Sequence, residues 1–350
     1  VMVAMLVVSC PCALALATPV AITAATGTLT KLGLLTTRGH ALEALAQITH
    51  VLFDKTGTLT TGRLALDEVL PLRDGVDRER CLALAAALER GSEHPIARVF
   101  ANLDVPTLDV RDSLAAPGHG MEGRIDGHRY RIGTPAHVGV VDLPEVTATA
   151  TRRPDASLVV LGDDDGALAL FVLSDRIRDD ASEAVAALKR QGVEIQLLSG
   201  DGAAPVRRVA ETLGIARSEG RLTPEGKLER IRALQQQGAV VAMVGDGVND
   251  APVLSAAQVS VAMAGGTELA QASADMILLS ERLTHLPVAV DTARATLRII
   301  RQNIYWALGY NAVALPVAAA GLLTPWLAAL GMSASSLLVV LNSLRLTRRA

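Results

Sequence analysis

Apolar residues are concentrated at the two ends of the chain, and charged residues in its middle. No Asp, Glu, Lys, Arg or His occurs from 1 to 30 or from 302 to 344. Because a helix of about 20 apolar residues is long enough to cross a bilayer, these stretches predict three membrane spans, at 1–30, 303–322 and 326–345. The pattern indicates an integral membrane protein with a large soluble insertion.

Basic residues cluster at one end of each predicted span. They are Lys31 and Arg38 after the first span, Arg298 and Arg301 before the second, and Arg345, Arg348 and Arg349 after the third. One crossing followed by a hairpin puts all three clusters on the same side of the membrane, which the positive-inside rule identifies as cytoplasmic. We therefore expect a protein of the cell membrane whose soluble domains are cytoplasmic.

The middle of the chain alternates predicted strands and helices. Apolar runs typical of buried parallel strands occur at 50–53, 168–173, 194–198, 240–244, 259–263 and 276–279. Helical stretches with charged faces lie between several of them, at 180–190, 205–213 and 225–236. This order predicts a doubly wound α/β domain that binds ligands at the carboxyl ends of its strands.

The segment 65–167 has its own strand and helix signals and is too long for a loop, so it predicts an inserted domain. The chain then divides into a first span (1–30), an α/β domain (31–64 and 168–290), the insert (65–167), a linker helix (291–302) and two further spans (303–322 and 326–345).

Composition narrows the function classes. The 350 residues carry a formal net charge of −3 and give a pI of about 6.2, so the basic footprint of a nucleic-acid-binding protein is lacking. Two of the three cysteines occur as Cys10-Pro11-Cys12 within an apolar run, which is not a disulfide framework. Because the chain begins at Val1 inside an apolar run, we expect further sequence before it.

The segment 54–60, Asp-Lys-Thr-Gly-Thr-Leu-Thr, carries the most specific chemical signal. A carboxylate at a strand end, followed by a glycine turn, can attack phosphorus while the turn amides receive the phosphoryl oxygens. A lone aspartate there would more often be a structural turn. The whole string, however, resembles the phosphorylation motif of P-type ATPases, which are members of the haloacid-dehalogenase-like superfamily.

The resemblance implies a haloacid-dehalogenase-like (Rossmann-like) phosphorylation domain with an inserted α+β nucleotide-binding domain and three transmembrane helices. Asp54 is then the nucleophile, assisted by Thr56. Ser199 and Asp201 follow a later strand and are implied to contact the phosphoryl group, and Lys227 to neutralise charge beside it. Ser199 stands where many relatives have Thr, and it keeps the hydroxyl.

The same resemblance implies a Mg²⁺ site. Asp54, the backbone carbonyl of Thr56 and Asp246 are the implied ligands, with Asn249 and Asp250 in support. Magnesium prefers oxygen ligands and needs few from the protein when phosphate supplies others.

In the insert, Glu89 and His94 belong to a segment similar to the His-Pro signature of the heavy-metal branch, which contacts the adenine of ATP. Gly118, Gly120 and Gly133 match its nucleotide-binding glycines, which allow close approach of backbone to ligand. His94 alone would more often cap a helix. The insert lacks a Walker phosphate-binding loop.

The transported ion is predicted from the spans. Pro11 kinks a helix between Cys10 and Cys12, and thiolates select soft ions such as Cu(I), Ag(I) or Zn(II) over Ca²⁺ and Mg²⁺. The alternative is two cysteines that pack as small hydrophobic residues.

Together with Cys-Pro-Cys, four further residues resemble the site of the copper(I)-transporting group: Tyr310, Asn311, Met332 and Ser336. A zinc or cadmium pump is expected to have a Lys–Asp pair in these spans, and the sequence has none.

We therefore predict ATP-driven Cu(I) transport through an aspartyl phosphate, with Cu(I) delivered by a soluble metallochaperone. The segments 61–66 and 168–173 are predicted hinges for the insert. The Thr-Gly-Glu actuator loop and the earlier spans of the family do not occur in the sequence, so we expect the chain alone not to complete a transport cycle.

Three different functions stay open beside this one. The first is a Zn(II)/Cd(II) or Ag(I) pump. The second is a membrane-tethered phosphatase of the same superfamily, which would need an acid where Thr56 stands. The third is a non-catalytic metal-binding membrane subunit.

Overall fold

A computed structural model of the protein describes residues 2–9, 12–92, 94–101, 103–116, 118–246 and 251–348. Three residues predicted to act at a site, Cys10, Asn249 and Asp250, lie outside these ranges.

The described strands form two sheets. In chain order they are β1 Leu34–Thr36, β2 His50–Asp54, β3 Thr60–Pro71, β4 Arg111–Ala116, β5 Gly120–Ile125, β6 His128–Gly133, β7 Ser157–Asp163, β8 Gly166–Ile177, β9 Glu194–Leu198, β10 Arg217–Glu219, β11 Val241–Gly245, β12 Val259–Met263 and β13 Met276–Leu278.

Helices surround both sheets and form the apolar ends of the chain. They are α1 Met2–Val8, α2 Cys12–Lys31, α3 Ala41–Ala46, α4 Arg78–Glu89, α5 Pro95–Ala101, α6 Pro135–Val138, α7 Pro144–Arg152, α8 Ala181–Arg190, α9 Ala203–Thr212, α10 Pro224–Gln236, α11 Ala251–Ala256, α12 Glu268–Ser273, α13 His285–Ala319 and α14 Pro325–Leu344. A tight turn occupies Lys55–Leu59, and a 3₁₀ turn follows α14 at Arg345–Arg348.

The first sheet has the strand order β1-β13-β12-β11-β2-β9-β10. Its strands run parallel except for β1, which pairs antiparallel with β13. The central strand β2 buries Val51, Leu52 and Phe53, as expected for a strand covered on both faces. Helices on the sheet faces complete the doubly wound architecture that the sequence predicts.

The carboxyl ends of three neighbouring strands, β9, β2 and β11, therefore meet at one edge of this sheet. Asp54 ends β2, Ser199 follows β9, and Asp246 follows β11. Helix α10 packs on the sheet, because its Ile231 and Leu234 join a hydrophobic cluster with Leu52 of β2.

The second sheet is antiparallel, with the order β3-β8-β7-β6-β5-β4. Helices α4 and α5 pack on it. The Phe100 and Phe171 rings meet edge to face in its core, with centroids 5.1 Å apart. This α+β unit corresponds to the predicted insert.

The prediction that 168–173 is a strand of the parallel sheet is wrong. These residues lie in β8 and pair antiparallel with β3, where Leu66 stands opposite Leu173, and with β7. A continuous apolar run indicates burial on both faces, but it does not identify the sheet to which a strand belongs.

As a consequence, the two connections between the units, β3 and β8, form one antiparallel two-stranded ribbon. The β3–β8 pairing extends to Thr60 opposite Ile177, across the predicted boundaries at 65 and 167. Register shifts occur between Thr60 and Leu64 and between Leu66 and Glu68. The predicted hinge segments 61–66 and 168–173 are thus paired strands, and their movement stays a prediction.

Two helical segments of the described chain are long and apolar enough to cross a membrane, Met2–Lys31 and Pro325–Arg348. The predicted second span is the C-terminal part of α13, which continues from the predicted linker helix without a break and is not among the two. That span therefore stays a prediction.

Candidate functional site

The candidate site begins with the ion pair between Asp54 and Lys227. Thr223 caps α10, since its Oγ1 accepts a hydrogen bond from the Gly226 backbone amide at 3.2 Å. Lys227 follows in the first turn, and its Nζ donates to Asp54 Oδ1 at 2.6 Å. Both residues are buried, with 7% and 5% of their surface exposed. The structure thus brings the predicted nucleophile and the predicted lysine together.

Asp246 is wedged between two glycines. Gly57, in the turn after Asp54, has a φ of +69°, and a Cβ there would lie 2.7 Å from Asp246 Oδ2. A Cβ on Gly266 would lie 2.1 Å from the Asp246 backbone oxygen. The close approach of Asp246 to the turn after Asp54 therefore requires glycine at both positions. The role of Gly266 was not predicted from the sequence.

The residues around Asp54 fit Mg²⁺ by their donor chemistry. The Asp54 and Asp246 carboxylates and the Thr56 carbonyl are oxygen donors, which this ion prefers. Within the described part of the chain, no group of three or more His, Cys, Asp or Glu side chains could hold a metal ion.

Thr56, Ser199 and Asp201 form a second connected group. Ser199 Oγ accepts a hydrogen bond from the Asp201 backbone amide at 3.1 Å, and Thr56 Oγ1 donates to Asp201 Oδ2 at 3.3 Å. Lys55 Nζ lies 2.5 Å from the same carboxylate oxygen. Sequence reasoning missed Lys55 as part of the site, although it directly follows the predicted nucleophile.

Asp175 lies at the junction between this site and the ribbon. The Thr60 hydroxyl is 2.5 Å from Asp175 Oδ2 and 3.0 Å from the Lys55 carbonyl oxygen, and its single proton can serve only one of them. Burial raises the pKa of Asp175, against the lowering effects of the Thr60 hydrogen bond and of Lys55. A protonated Asp175 would donate to Thr60, and Thr60 to Lys55, which satisfies both contacts.

Arg178 anchors the end of β8 to the turn after Asp54. Its Nε donates to the Thr58 carbonyl at 2.9 Å, and its Nη2 donates to the Gly57 carbonyl at 3.2 Å. A salt bridge of 3.4 Å joins it to Glu281. The sequence feature that could have indicated Arg178 is the charged segment 175–180, which directly follows the apolar run 168–173.

A cavity of about 530 Å³ in the insert contains all five predicted ATP-binding residues. Its lining includes Glu89, His94, Gly118, Gly120 and Gly133, together with Ser92, Thr134 and Ser157, which were not predicted. Glu89 is 5% exposed, and burial raises its pKa although a hydrogen bond with Ser92 opposes the shift. The cavity therefore presents a carboxyl group that is more readily neutral than usual.

Two glycines of this cavity are required by the packing of the sheet itself, and their predicted contact with a nucleotide stays a prediction. Gly120 and Gly133 stand opposite each other on β5 and β6. A Cβ on Gly120 would lie 2.0 Å from the Ile132 oxygen, and one on Gly133 would lie 2.1 Å from the His119 oxygen. The close approach is between two strands of the protein. At Gly118, by contrast, no described atom other than those of its chain neighbours lies within 4 Å of such a Cβ.

The predicted Cu(I)-binding residues within the described chain lie on three helices that pack together, α2, α13 and α14. Ala13 and Ala17 of α2 meet Ala307 of α13 and Val339 of α14. The predicted residues near this contact are Cys12 beside Ala13, Tyr310 and Asn311 one turn after Ala307, and Met332 and Ser336 in the two turns before Val339. A Cβ on Gly331 would lie 2.7 Å from Tyr310 Oη, so Tyr310 contacts the helix that carries Met332.

Comparison with known proteins agrees with this architecture. A family model for haloacid dehalogenase-like hydrolases matches residues 48–258. The chain is 42% identical over 349 residues to cation-transporting P-type ATPase B of Mycobacterium bovis, covering 97% of the chain and 46% of the relative. It is 41% identical over 348 residues to a copper-exporting P-type ATPase of Mycobacterium tuberculosis, covering 99% and 46%.

Two solved structures extend the comparison. A zinc-transporting PIB-type ATPase in the E2.Pi state superimposes with a TM-score of 0.86 at 36% identity, over 97% of this chain and 57% of the other. The catalytic domain of the CPx-ATPase CopB-B gives a TM-score of 0.59 at 28% identity, over 76% of this chain and 98% of that domain.

The site edge, the ribbon and the family match together define a haloacid dehalogenase-like hydrolase that carries an inserted domain. Within that class, the chain belongs to the P-type ATPases. The predicted family and fold class are confirmed. The chain spans about half the length of the curated relatives it matches.

The raised pKa of Asp175 predicts a pH-dependent stability. The folded state favours the protonated Asp175 carboxyl. The contribution of this group to the free energy of unfolding is therefore full at low pH, and it is lost as the pH rises from the ordinary pKa of 3.8 through the raised pKa. We expect Asp175→Asn to remove that slope. Thermal unfolding of the full chain in detergent between pH 4 and 8 measures it.

Asp179→Asn is the control, because it also removes one negative charge but from an exposed residue. If Asp175→Asn and the wild type kept the same slope, Asp175 would not be the group that titrates.

The strand crossing at Gly120 predicts a loss of nucleotide binding in Gly120→Ala. The added Cβ must push β5 away from β6, at a cost of about 1–3 kcal/mol, and so deforms the cavity. We expect binding of a fluorescent ATP analogue to weaken by about tenfold. Gly127→Ala is the matched control, because Gly127 also has a positive φ and does not line the cavity. Apart from its chain neighbours, no described atom lies within 4 Å of its Cβ position. Equal affinities in the two variants would contradict the prediction.

Proposed function

We propose that the chain carries the phosphorylation and metal-passage parts of an ATP-driven Cu(I) pump. The observation that carries this proposal is the buried pair of Asp54 and Lys227, 2.6 Å apart, at a strand edge shared with Asp246. A pair of this kind beside an oxygen-rich pocket suits phosphoryl transfer, in which catalysis consists mainly of positioning and charge neutralisation.

In the proposed step, an Asp54 carboxylate oxygen attacks the γ-phosphorus of ATP in line with the bond to the β-phosphate oxygen. That bond breaks, ADP leaves, and an aspartyl phosphate remains. Lys227 balances the negative charge between the carboxylate and the incoming phosphate. The Ser199 hydroxyl can donate to a phosphoryl oxygen from the neighbouring strand, and Asp201 holds Lys55 and Thr56 beside it.

Mg²⁺ fits the oxygen donors of this site. Asp54, Asp246 and the Thr56 carbonyl would hold it, and it would neutralise charge on the transferred phosphoryl group. Asn249 and Asp250 are proposed as supporting residues.

ATP is proposed to bind in the cavity of the insert. Glu89 suits a polar edge of the adenine, because a neutral carboxyl group can both donate and accept a hydrogen bond. The β3–β8 ribbon connects this cavity to the turn after Asp54, so movement of the insert would bring the γ-phosphate to the nucleophile.

Copper is the proposed cargo because of the donor set of the spans. Cys10, Cys12 and the Met332 thioether are soft ligands, which favour Cu(I). A copper-exporting P-type ATPase is also among the relatives of the chain. A zinc pump is the second candidate, since a zinc-transporting PIB-type ATPase shares the fold at 36% identity. Silver would use the same soft donors.

A phosphatase and a non-catalytic membrane subunit fit the site less well. A phosphatase needs a general acid at position 56, whereas Thr56 donates its hydroxyl to Asp201. A non-catalytic subunit would have no use for a buried Asp54–Lys227 pair, since buried ion pairs contribute little to stability. Proposed partners are the bilayer, a soluble Cu(I) metallochaperone, an actuator domain and further membrane spans.

If Asp54 is the nucleophile, the label of γ-labelled ATP should be transferred to the chain at this residue. The full chain incubated with γ-labelled ATP and Mg²⁺ should gain an acid-stable, hydroxylamine-sensitive label. We expect no label in Asp54→Asn, and roughly a hundredfold slower labelling in Lys227→Gln, because a key positive donor is lost.

Asp164→Asn, an exposed carboxylate of the insert, should label like the wild type. Labelling of Asp54→Asn at the wild-type level would refute the assignment of the nucleophile. Label gained from a simple phosphate monoester, with none gained from ATP, would support the phosphatase instead.

The proposed cargo predicts which ion the full chain binds in detergent. Cys12→Ala should weaken Cu(I) binding, measured by competition with a chelator, by more than the roughly 10–100-fold loss typical of a residue that only supports a ligand. Cys81→Ala should have little effect, because burial raises the pKa of Cys81 to about 11 and keeps its thiol protonated at neutral pH.

The variant Met332→Ala distinguishes Cu(I) from Zn(II). It should weaken Cu(I) binding and leave Zn(II) binding nearly unchanged, since a thioether contributes to Cu(I) binding and little to Zn(II) binding. Tighter binding of Zn(II) than of Cu(I), with no change in Met332→Ala, would favour the zinc pump.

A further inference from the structure

Three arginines converge on one hollow at the end of the membrane helices. The hollow has a volume of about 240 Å³, and its lining is formed by Ala295, Arg298, Ile299 and Gln302 of α13 and by Arg345 and Arg348 of the 3₁₀ turn after α14. Ala295 and Ile299 are buried and form its floor, while the polar side chains are exposed at its rim.

The 3₁₀ turn is held firmly in place. Leu346 is fully buried between the two arginines, and its carbonyl oxygen accepts a hydrogen bond from Thr28 Oγ1 of α2 at 3.3 Å. This contact holds the backbone that carries Arg345 and Arg348 against α2.

A short hydrogen-bond chain orients Arg345 further. Asn342 Nδ2 donates to Gln302 Oε1 at 3.3 Å, and Arg345 Nη1 donates to Asn342 Oδ1 at 3.0 Å. The remaining donors of the Arg345 guanidinium are available to a ligand.

Among the residues that the structure describes, no Asp or Glu side chain neutralises the hollow. Across the described ranges, none of Arg298, Arg345 and Arg348 has an Asp or Glu oxygen within 4.0 Å. Asp291, the acidic residue that precedes the lining residues along α13, does not line the hollow. Three like charges around one space repel each other unless an anion lies between them.

The hollow also lies where a membrane surface is expected. Arg345 directly follows Leu344, at the end of the apolar segment Pro325–Arg348. The basic flanks of the spans put this end on the cytoplasmic side, where anionic lipids attract basic side chains. Guanidinium groups suit phosphate because their planar donors match its oxygens in pairs.

We propose that this hollow binds the phosphate-bearing headgroup of an anionic phospholipid of the cytoplasmic leaflet. The acyl chains would extend along the exposed apolar faces of α13 and α14, which present Trp306, Leu337 and Leu341. This site is independent of the phosphorylation and metal sites, and the proposal does not rest on ATP hydrolysis or transport.

The test is lipid binding by the full chain in detergent micelles, measured by native mass spectrometry with phosphatidylglycerol. Arg298→Gln, Arg345→Gln and Arg348→Gln should each weaken binding by about fivefold, and the three together by about a hundredfold. Arg345→Lys keeps the charge but loses the paired donors, so it should fall between Arg345→Gln and the wild type.

Arg301→Gln is the matched control, because Arg301 is exposed on the same helix, carries the same charge and does not line the hollow. A loss in Arg301→Gln equal to that in Arg298→Gln would overturn the proposal, since it would show only attraction by net charge. Equal retention of phosphatidylcholine would overturn it as well.

Two further arms complete the test. Displacement of the lipid by millimolar inorganic phosphate would identify a general phosphate site and overturn the lipid assignment. ATP-analogue binding in the insert, measured on every variant, verifies folding: lipid binding lost with nucleotide binding retained supports the proposal. Should the triple variant not fold, the three single variants carry the test.

Discussion

The buried pair of Asp54 and Lys227 is the interaction on which the rest of the site depends. Taking two charges out of water costs several kcal/mol, and removing one partner alone costs about 3–5 kcal/mol. Such a pair survives only where the surrounding structure holds both side chains in place. Here β2, between two parallel neighbours, fixes Asp54, and the Thr223 cap fixes the turn that carries Lys227.

The same edge of the sheet connects Asp54, the proposed nucleophile, to the insert. Thr60 ends the turn after Asp54, begins β3 and contacts Asp175 of β8. Arg178, at the end of β8, donates to two carbonyls of that turn. A change in the angle of the ribbon therefore acts on the backbone next to Asp54 through two short contacts. This provides a physical route by which docking of the insert and alignment of the nucleophile can occur together.

Much of this arrangement could be predicted from the sequence, because local patterns encode it. Apolar runs located β2, β9 and β12, and the string that begins at Asp54 located the site. The sheet to which 168–173 belongs could not be predicted, since burial on both faces occurs in either sheet. The contact between Gly120 and Gly133 was missed for a similar reason: it depends on strand register, which a glycine in a sequence does not reveal.

The polar side chains within the apolar part of α13 are explained by their contacts with α14. Asn303 Nδ2 donates to Ser343 Oγ at 3.0 Å, and Trp306 Nε1 donates to Ser335 Oγ at 3.1 Å, so both groups are satisfied by α14. Hydrogen bonds between helices of this kind hold membrane bundles together where lipid offers no polar partner. The hydropathy of α13 is thus lowered by residues that face its neighbours. The span predicted at 303–322 can carry these polar groups because each has its partner on α14.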